Sequence, residues 1–174
     1  MLRWAARFCC IGVCGVLLAA GAPGVLVDVP FIKQEKDGCG AAALAMVMQY
    51  WQIKQGRPAT ANASDILQAL YSRRGRGIYA SDMEQYLREH GFRAFALRGE
   101  WSDLEHHLEK GRPLIVALKI TRDDMHYVVV TGMDHDVVLK HDPADRKLRM
   151  QHRSEFEREW KGSGNWTLLA VPAP

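Results

Sequence analysis

Residues 34–51 read QEKDGCGAAALAMVMQYW, and this stretch decides the fold. From Ala41 onward Ala, Leu, Met and Val fall on nearly every helical face, and a helix that is apolar all round is a buried one. At its mouth stands Cys39, five residues after Gln34 and directly after the polar run QEKDG. The first turn of a helix has backbone N–H groups without intrahelical partners and the positive end of the macrodipole, so it favours a thiolate over a thiol. Gly38 and Gly40 carry no side chains, which would let a substrate backbone approach the sulfur. A buried cysteine used as a small hydrophobe is the competing reading. The polar run before Cys39 argues against it by placing the thiol at an edge of the core.

Working outward from that helix, the 174 residues are 48% hydrophobic and 25% charged, the profile of one soluble globular domain. Residues 1–22 differ in character. Arg3 and Arg7 give a positive start, Phe8 to Ala20 is an uncharged apolar run, and AAGAPG supplies small residues for a cut after Gly21 or Ala22. This is the layout of a secretory signal peptide, too short to favour a stable membrane span. An uncleaved membrane anchor is the alternative, and a lipoprotein fits less well because Val13 precedes Cys14. The expected division is therefore a signal peptide over 1–22 and a single domain over 23–174.

Removal of the signal would take Cys9, Cys10 and Cys14 with it and leave Cys39 as the sole cysteine. Exported domains that use cysteine structurally carry pairs, so an unpaired thiol points to chemistry. The 23 basic and 20 acidic residues give +3, and without Arg3 and Arg7 the balance is +1. Such a charge does not indicate nucleic acid as a partner.

Along the chain, VLVDVPFI (25–32) predicts an edge strand or an extended lead-in, with Pro30 inside it. After a polar loop, Ser64 is placed to cap the helix DILQALYS. The segment RRGRGIYA (73–80) reads as a mobile, solvated basic loop. Ser81 with Glu84 and Ser102 with Glu105 predict capping boxes for two helices that stop at Gly91 and Gly111. Met83, Tyr86 and Leu87 give the first an apolar face, and Leu104 and Leu108 the second. From Pro113 the period changes: LIVALKI, HYVVVTGM, DVVLKHD and KLRM predict an antiparallel meander. Ser154 with Glu157 predicts a further short helix over EFEREW, and NWTLLAVP a last strand. Helices first and strands second give an α+β class, with the Cys39 helix packed on the sheet.

A cysteine nucleophile needs a base to take its proton and a third group to orient that base. Among seven histidines, His90, His106 and His107 fall on helix ends or polar faces and read as solvated. His126 opens the strand HYVVVTG, and Asp142 ends the neighbouring strand before Pro143. That places a candidate base and orienting carboxylate at adjacent strand ends, with a structural or exposed histidine as the competing reading. Asp134, His135, Asp136, His141 and Asp142 form a loose acidic and histidine set, but their spacing follows strand alternation and no familiar zinc pattern.

These residues, in this order, carry a resemblance. Gln34, then Cys39-Gly40 with Ala42-Ala43-Leu44, then His126-Tyr127-Val128 opening a strand, then Asp142-Pro143, resemble the papain-like cysteine peptidases of the bacteriocin-processing, double-glycine leader peptidase family. The likeness spans essentially the whole chain after residue 22. Ala41 departs from the proline usual after the Cys-Gly, a first-turn position where the change costs little. The resemblance implies a papain-like fold, α+β, with an N-terminal helical half and the nucleophile helix packed on a C-terminal antiparallel sheet. It implies Cys39 as nucleophile, His126 as general base and then acid, Asp142 as its orienter, and Gln34 as an oxyanion donor. It implies no cofactor and no metal.

The function expected from this is an exported cysteine peptidase, periplasmic or secreted in a bacterium, acting on a protein or peptide substrate that is itself exported. Family members that process leaders are fused to membrane-spanning exporters with an ATP-binding domain, and this sequence has neither spans nor a phosphate loop. Two alternatives stand beside it: a papain-fold module that binds peptides without cutting them, and a cell-wall amide hydrolase or transferase on the same fold. Trp101, Tyr127 and Trp160 are candidate liners of the groove between helix and sheet, with a place in the core as the competing reading for each. The oligomeric state is left open.

Overall fold

The computed structural model describes residues 24–121 and 125–174. The signal segment expected over 1–22 lies outside the described residues. The buried helix is α1, Cys39–Lys54, and every residue from Gly40 to Met48 is buried. Its few polar groups find backbone carbonyls: Gln49 donates to Ala61, the Tyr50 hydroxyl to Gly111 and the Trp51 indole to Ala170. Such bonds satisfy donors that would otherwise be stranded in the core. They also tie α1 to three distant parts of the chain.

The strands are β1 (Val25–Leu26), β2 (Phe92–Arg98), β3 (Leu114–Lys119), β4 (Met125–Asp134), β5 (Val137–His141), β6 (Arg149–His152) and β7 (Trp166–Pro172). The four remaining helices are α2 (Ala63–Leu70), α3 (Ala80–Glu89), α4 (Trp101–Glu109) and α5 (Arg153–Lys161). All strand pairings are antiparallel, in the order β2-β7-β3-β4-β5-β6. The expected meander is present as β3 to β6. β1 pairs Val25 with Met133 and Leu26 with Gly132, continuing the edge of β4 beyond Val130, where β3 ends.

Tyr127 to Met133 of β4 and Leu114 to Leu118 of β3 are buried at every position. Successive side chains of a strand point to opposite faces, so both faces of the sheet are covered. α1 packs on β3, β4 and β7, and α5 on β3, β5 and β6. The mixed helix and antiparallel sheet agree with the α+β, papain-like class. The strict order of helices before strands does not hold, because β2 falls between α3 and α4. FRAFALR gives no clean alternation of apolar and polar residues, and its pairing is supplied by β7, far away in sequence.

The helix starts differ from expectation in four places. α2 is capped by Asn62, whose Oδ1 accepts from the Ser64 and Asp65 backbone N–H groups, so Ser64 lies inside the helix. α4 begins two residues before the expected box, with Glu100 as the cap and Asp103 as its reciprocal partner. α3 and α5 start without any side-chain cap, at Tyr79 and His152. Glu84 and Glu157 are engaged elsewhere. Glu157 pairs with Arg153 one turn back. Glu84 pairs with Arg88 and also accepts the backbone N–H of Ala96 on the outer edge of β2, while Arg88 donates to the Ala94 carbonyl on the same edge. The stops at Gly91 and Gly111 hold, both with positive φ.

Candidate active site

Cys39 is the first residue of α1, half-buried, with Gly38 before it as an N-cap that offers no side-chain bond. The first intrahelical bond there runs from the Ala42 N–H to the Gly38 carbonyl. The preceding N–H groups of the turn are therefore without α-helical partners of their own. The cysteine opens onto a cleft of about 710 Å³ that is also lined by Gln34, His126, Tyr127, Asp142 and Arg149. The structure thus brings Cys39, His126, Asp142 and Gln34 to one place.

His126 Nε2 lies 2.7 Å from Asp142 Oδ1, and the Cys39 thiol is near enough to the same imidazole to favour its charged form. With Nε2 taken by the carboxylate, Nδ1 is the ring nitrogen left for the sulfur. Burial pulls the His126 pKa down. The hydrogen bond to Asp142 and the nearby Cys39 more than reverse that, and the ring is pushed up to about 9. For Asp142, burial opposes ionisation, but its bond to His126 and the nearby Lys140 charge hold the carboxyl down at about 2. Asp142 is therefore a carboxylate over the whole physiological range.

The Asp142 side chain is 4% exposed and fully engaged. Oδ1 also accepts the Ala144 backbone N–H at 3.1 Å, and Oδ2 accepts from Arg149 Nη1 at 3.1 Å. Gln34 is joined to this corner through its backbone, whose N–H donates to the Pro143 carbonyl at 3.0 Å. Its side-chain Oε1 is buried without a hydrogen-bond partner.

Gly40 has a role other than the expected one. A Cβ at that position would come within 3.3 Å of Ile78 Cβ and Tyr127 Cδ2 and 3.5 Å of Met83 Sδ. The glycine lets α1 pack closely on its neighbours. Gly40→Ala is expected to lower stability by roughly 1–3 kcal/mol, the cost of forcing an extra methyl into a packed contact. A urea midpoint equal to that of the wild type would contradict this packing role.

The basic segment is also different from the expected mobile loop. Ser72 and Gly77 are bridged, their backbones bonded in both directions, and Gly75 is packed under the Tyr79 ring. Gly75, Arg76, Gly77, Ile78 and Tyr79 form one wall of the cleft. Ile78 and Tyr79 were the available signal, an apolar pair closing an otherwise polar run. Tyr127 lines the cleft as expected, and burial pushes its hydroxyl up to about 12. Trp101 and Trp160 belong to the hydrophobic core instead.

The other histidines are placed elsewhere. His141 is buried, with Nε2 bonded to the Val29 carbonyl and Nδ1 accepting the Leu148 N–H. His135 is exposed beside Asp134. Among the described residues no three His, Cys, Asp or Glu side chains are grouped to hold a metal ion. His107 is half-buried instead of solvated, its Nδ1 unpaired, and burial lowers its pKa. No helix of the described residues is long and apolar enough to cross a membrane.

Comparison with known proteins identifies the family and the fold. The sequence profile of the Peptidase_C39 like family matches residues 26–167. The fold is similar to that of a C39-like peptidase from Bacillus anthracis, with a TM-score of 0.68 and 20% identity over 86% of this chain and 98% of that one. It is similar to a double glycine motif protease from the AMS/PCAT transporter, solved in complex with the leader peptide, with a TM-score of 0.66 and 25% identity over 86% and 98%. It is similar too to the peptidase domain of Streptococcus ComA, a bi-functional ABC transporter of a quorum-sensing pathway, with a TM-score of 0.64 and 20% identity over 85% and 98%. No curated protein sequence matches the chain. With its family profile covering most of its length, the chain belongs to the Peptidase_C39 like family and is a cysteine-type peptidase.

Proposed function

We propose that this peptidase cuts its peptide substrate through Cys39, His126 and Asp142, with Gln34 in the oxyanion hole. The observation that carries the reading is the single imidazole of His126, held by Asp142 on Nε2 and sharing one cleft with the Cys39 thiol. With the proton held on His126, the sulfur attacks the scissile carbonyl. The tetrahedral oxyanion accepts hydrogen bonds from the Cys39 backbone N–H and the Gln34 side-chain amide. His126 then passes its proton to the leaving amine, and water hydrolyses the thioester with His126 again as base. Gln34 suits its part because its backbone is anchored to the residue after Asp142 and its amide oxygen is buried. A donor of this kind is worth roughly 3–4 kcal/mol of barrier.

In this reading residues 1–22 are a signal peptide and residues 23–174 form the mature domain. The mature enzyme works outside the cytoplasm on an exported protein or peptide. The PCAT peptidase is held in complex with a leader peptide, which supports a linear segment as the substrate form.

The test is digestion of a proteome-derived peptide pool, read by mass spectrometry. The wild type is expected to yield new termini and Cys39→Ala none. Equal cleavage by both would remove Cys39 from the mechanism, and no cleavage by either would favour a binding role. The pH dependence follows from His126. Its proton, needed by the leaving amine, is held below about pH 9 and lost above it, so kcat/KM is expected to fall on the alkaline side near 9. Asp142→Asn removes a group that raises the His126 pKa, so the alkaline limb should move to lower pH. A limb that stays in place would deny Asp142 its orienting and charge-stabilising part.

A further inference from the structure

We propose that Arg149 is a positioning residue of the active site, gripping Asp142 through the carboxylate oxygen that His126 does not use. This rests on the reading of Cys39, His126 and Asp142 as the reacting set. Arg149 opens β6, beside β5, which ends at His141 just before Asp142. Its Nη1 lies 3.1 Å from Asp142 Oδ2 and 3.4 Å from Asp145 Oδ2. The two oxygens of Asp142 are thus divided: Oδ1 on His126 Nε2 and the Ala144 N–H, Oδ2 on the guanidinium.

The division matters because a carboxylate can rotate about its last single bond. Two bonds on one oxygen leave that rotation weakly opposed. A charge-assisted bond on the second oxygen fixes the plane, and through it the tilt of the imidazole toward Cys39. The turn itself reinforces the grip. The Asp145 N–H donates to the Asp142 carbonyl and the Asp142 N–H to the Arg146 carbonyl, so the second carboxylate that holds Arg149 is built into the same loop.

No other described cation does this work. Lys140 is buried, but its Nζ donates to Gln151 Oε1 at 2.6 Å, so it reaches Asp142 only through space. Arg146 pairs with Asp145, and Lys147 with Asp28. Arg149 itself is 40% exposed on the cleft, yet its charge is already committed between two carboxylates. Its part is therefore in holding the site, and contact with substrate is not required.

The experiment uses iodoacetamide, whose reaction with Cys39 needs no known substrate. The alkylation rate constant at pH 7 is measured for the wild type, Arg149→Gln, Arg149→Lys, Asp142→Asn, and the double variant Arg149→Gln with Asp142→Asn, each checked by thermal melting. Arg149→Gln is expected to slow alkylation about tenfold, the scale of one charge-assisted bond discounted for its solvent exposure. Arg149→Lys should recover most of that loss. In the Asp142→Asn background Arg149→Gln should cost nothing further, because it acts only through Asp142.

A slow Asp142→Asn beside an Arg149→Gln at the wild-type rate would overturn the proposal and leave the reacting set intact. So would losses that multiply in the double variant, which mark a general structural effect. An Asp142→Asn that alkylates like the wild type would overturn the reacting set itself, and the role of Arg149 with it.

Discussion

Hydrolysis of a peptide pool by His126→Ala is expected to fall by on the order of 10⁴-fold or more relative to the wild type, as when the base of a catalytic triad is removed. The fold should survive the change. His126 lies at the start of β4 on the cleft and outside the hydrophobic cluster. Its buried partner would not be stranded either, since the Asp142 carboxylate keeps the Ala144 N–H and Arg149. Circular dichroism and peptide hydrolysis measured together separate the two effects. A native spectrum with activity within tenfold of the wild type would mean that another base serves Cys39. His141 is not available for that part, both of its ring nitrogens being bonded to backbone.

Trp160→Ala should be the most damaging core substitution, costing roughly 3–5 kcal/mol. The ring is 1% exposed, packs on Phe156 at 5.4 Å between centroids, and donates its indole N–H to the Trp166 carbonyl at 3.2 Å. Its far edge lies against Gly99, where a Cβ would come within 2.7 Å of Trp160 Cζ2. Removing the ring therefore opens a cavity at the junction of α5, β7 and the turn between β2 and α4. At roughly 2–4 °C per kcal/mol for a chain of this size, Tm should drop by about 10 °C. A loss under 1 kcal/mol, read from denaturant or thermal melts, would show that the neighbours collapse into the space.

The parts of this molecule that the sequence made legible are those fixed by local chemistry. A helix apolar on every face has to be buried, and α1 is. The β-branched runs after Pro113 have to pair, and their short connections leave an antiparallel meander as the simplest outcome. Those two facts set the helix on the sheet, and it is the family resemblance that adds Cys39, His126 and Asp142 as one site. What was not legible depends on partners far along the chain. β2 has a mixed pattern and becomes a strand because β7 lies beside it. The Glu84 expected to close a capping box is drawn instead to β2. Arg149 gives no sign in KLRM that it reaches back to Asp142, because strand pairing and a tight turn bring it there. The segment 73–80 looked solvated because its charges are, while its backbone is pinned by a bridge and by Tyr79.

The pair of bonds from α3 to β2 bears on how the protein behaves when crowded with copies of itself. An outer strand with unpaired N–H and C=O groups is a template for recruiting a strand from another molecule. Here Glu84 caps the Ala96 N–H and Arg88 the Ala94 carbonyl, so side chains of a helix occupy positions that an intruding backbone would need. At the opposite end of the sheet, β6 has only four residues, too short to offer a long ladder. Sheet growth is blocked at one margin by substitution and at the other by brevity. Loss of the α3 pair would leave those two backbone groups of the β2 edge open to an incoming strand.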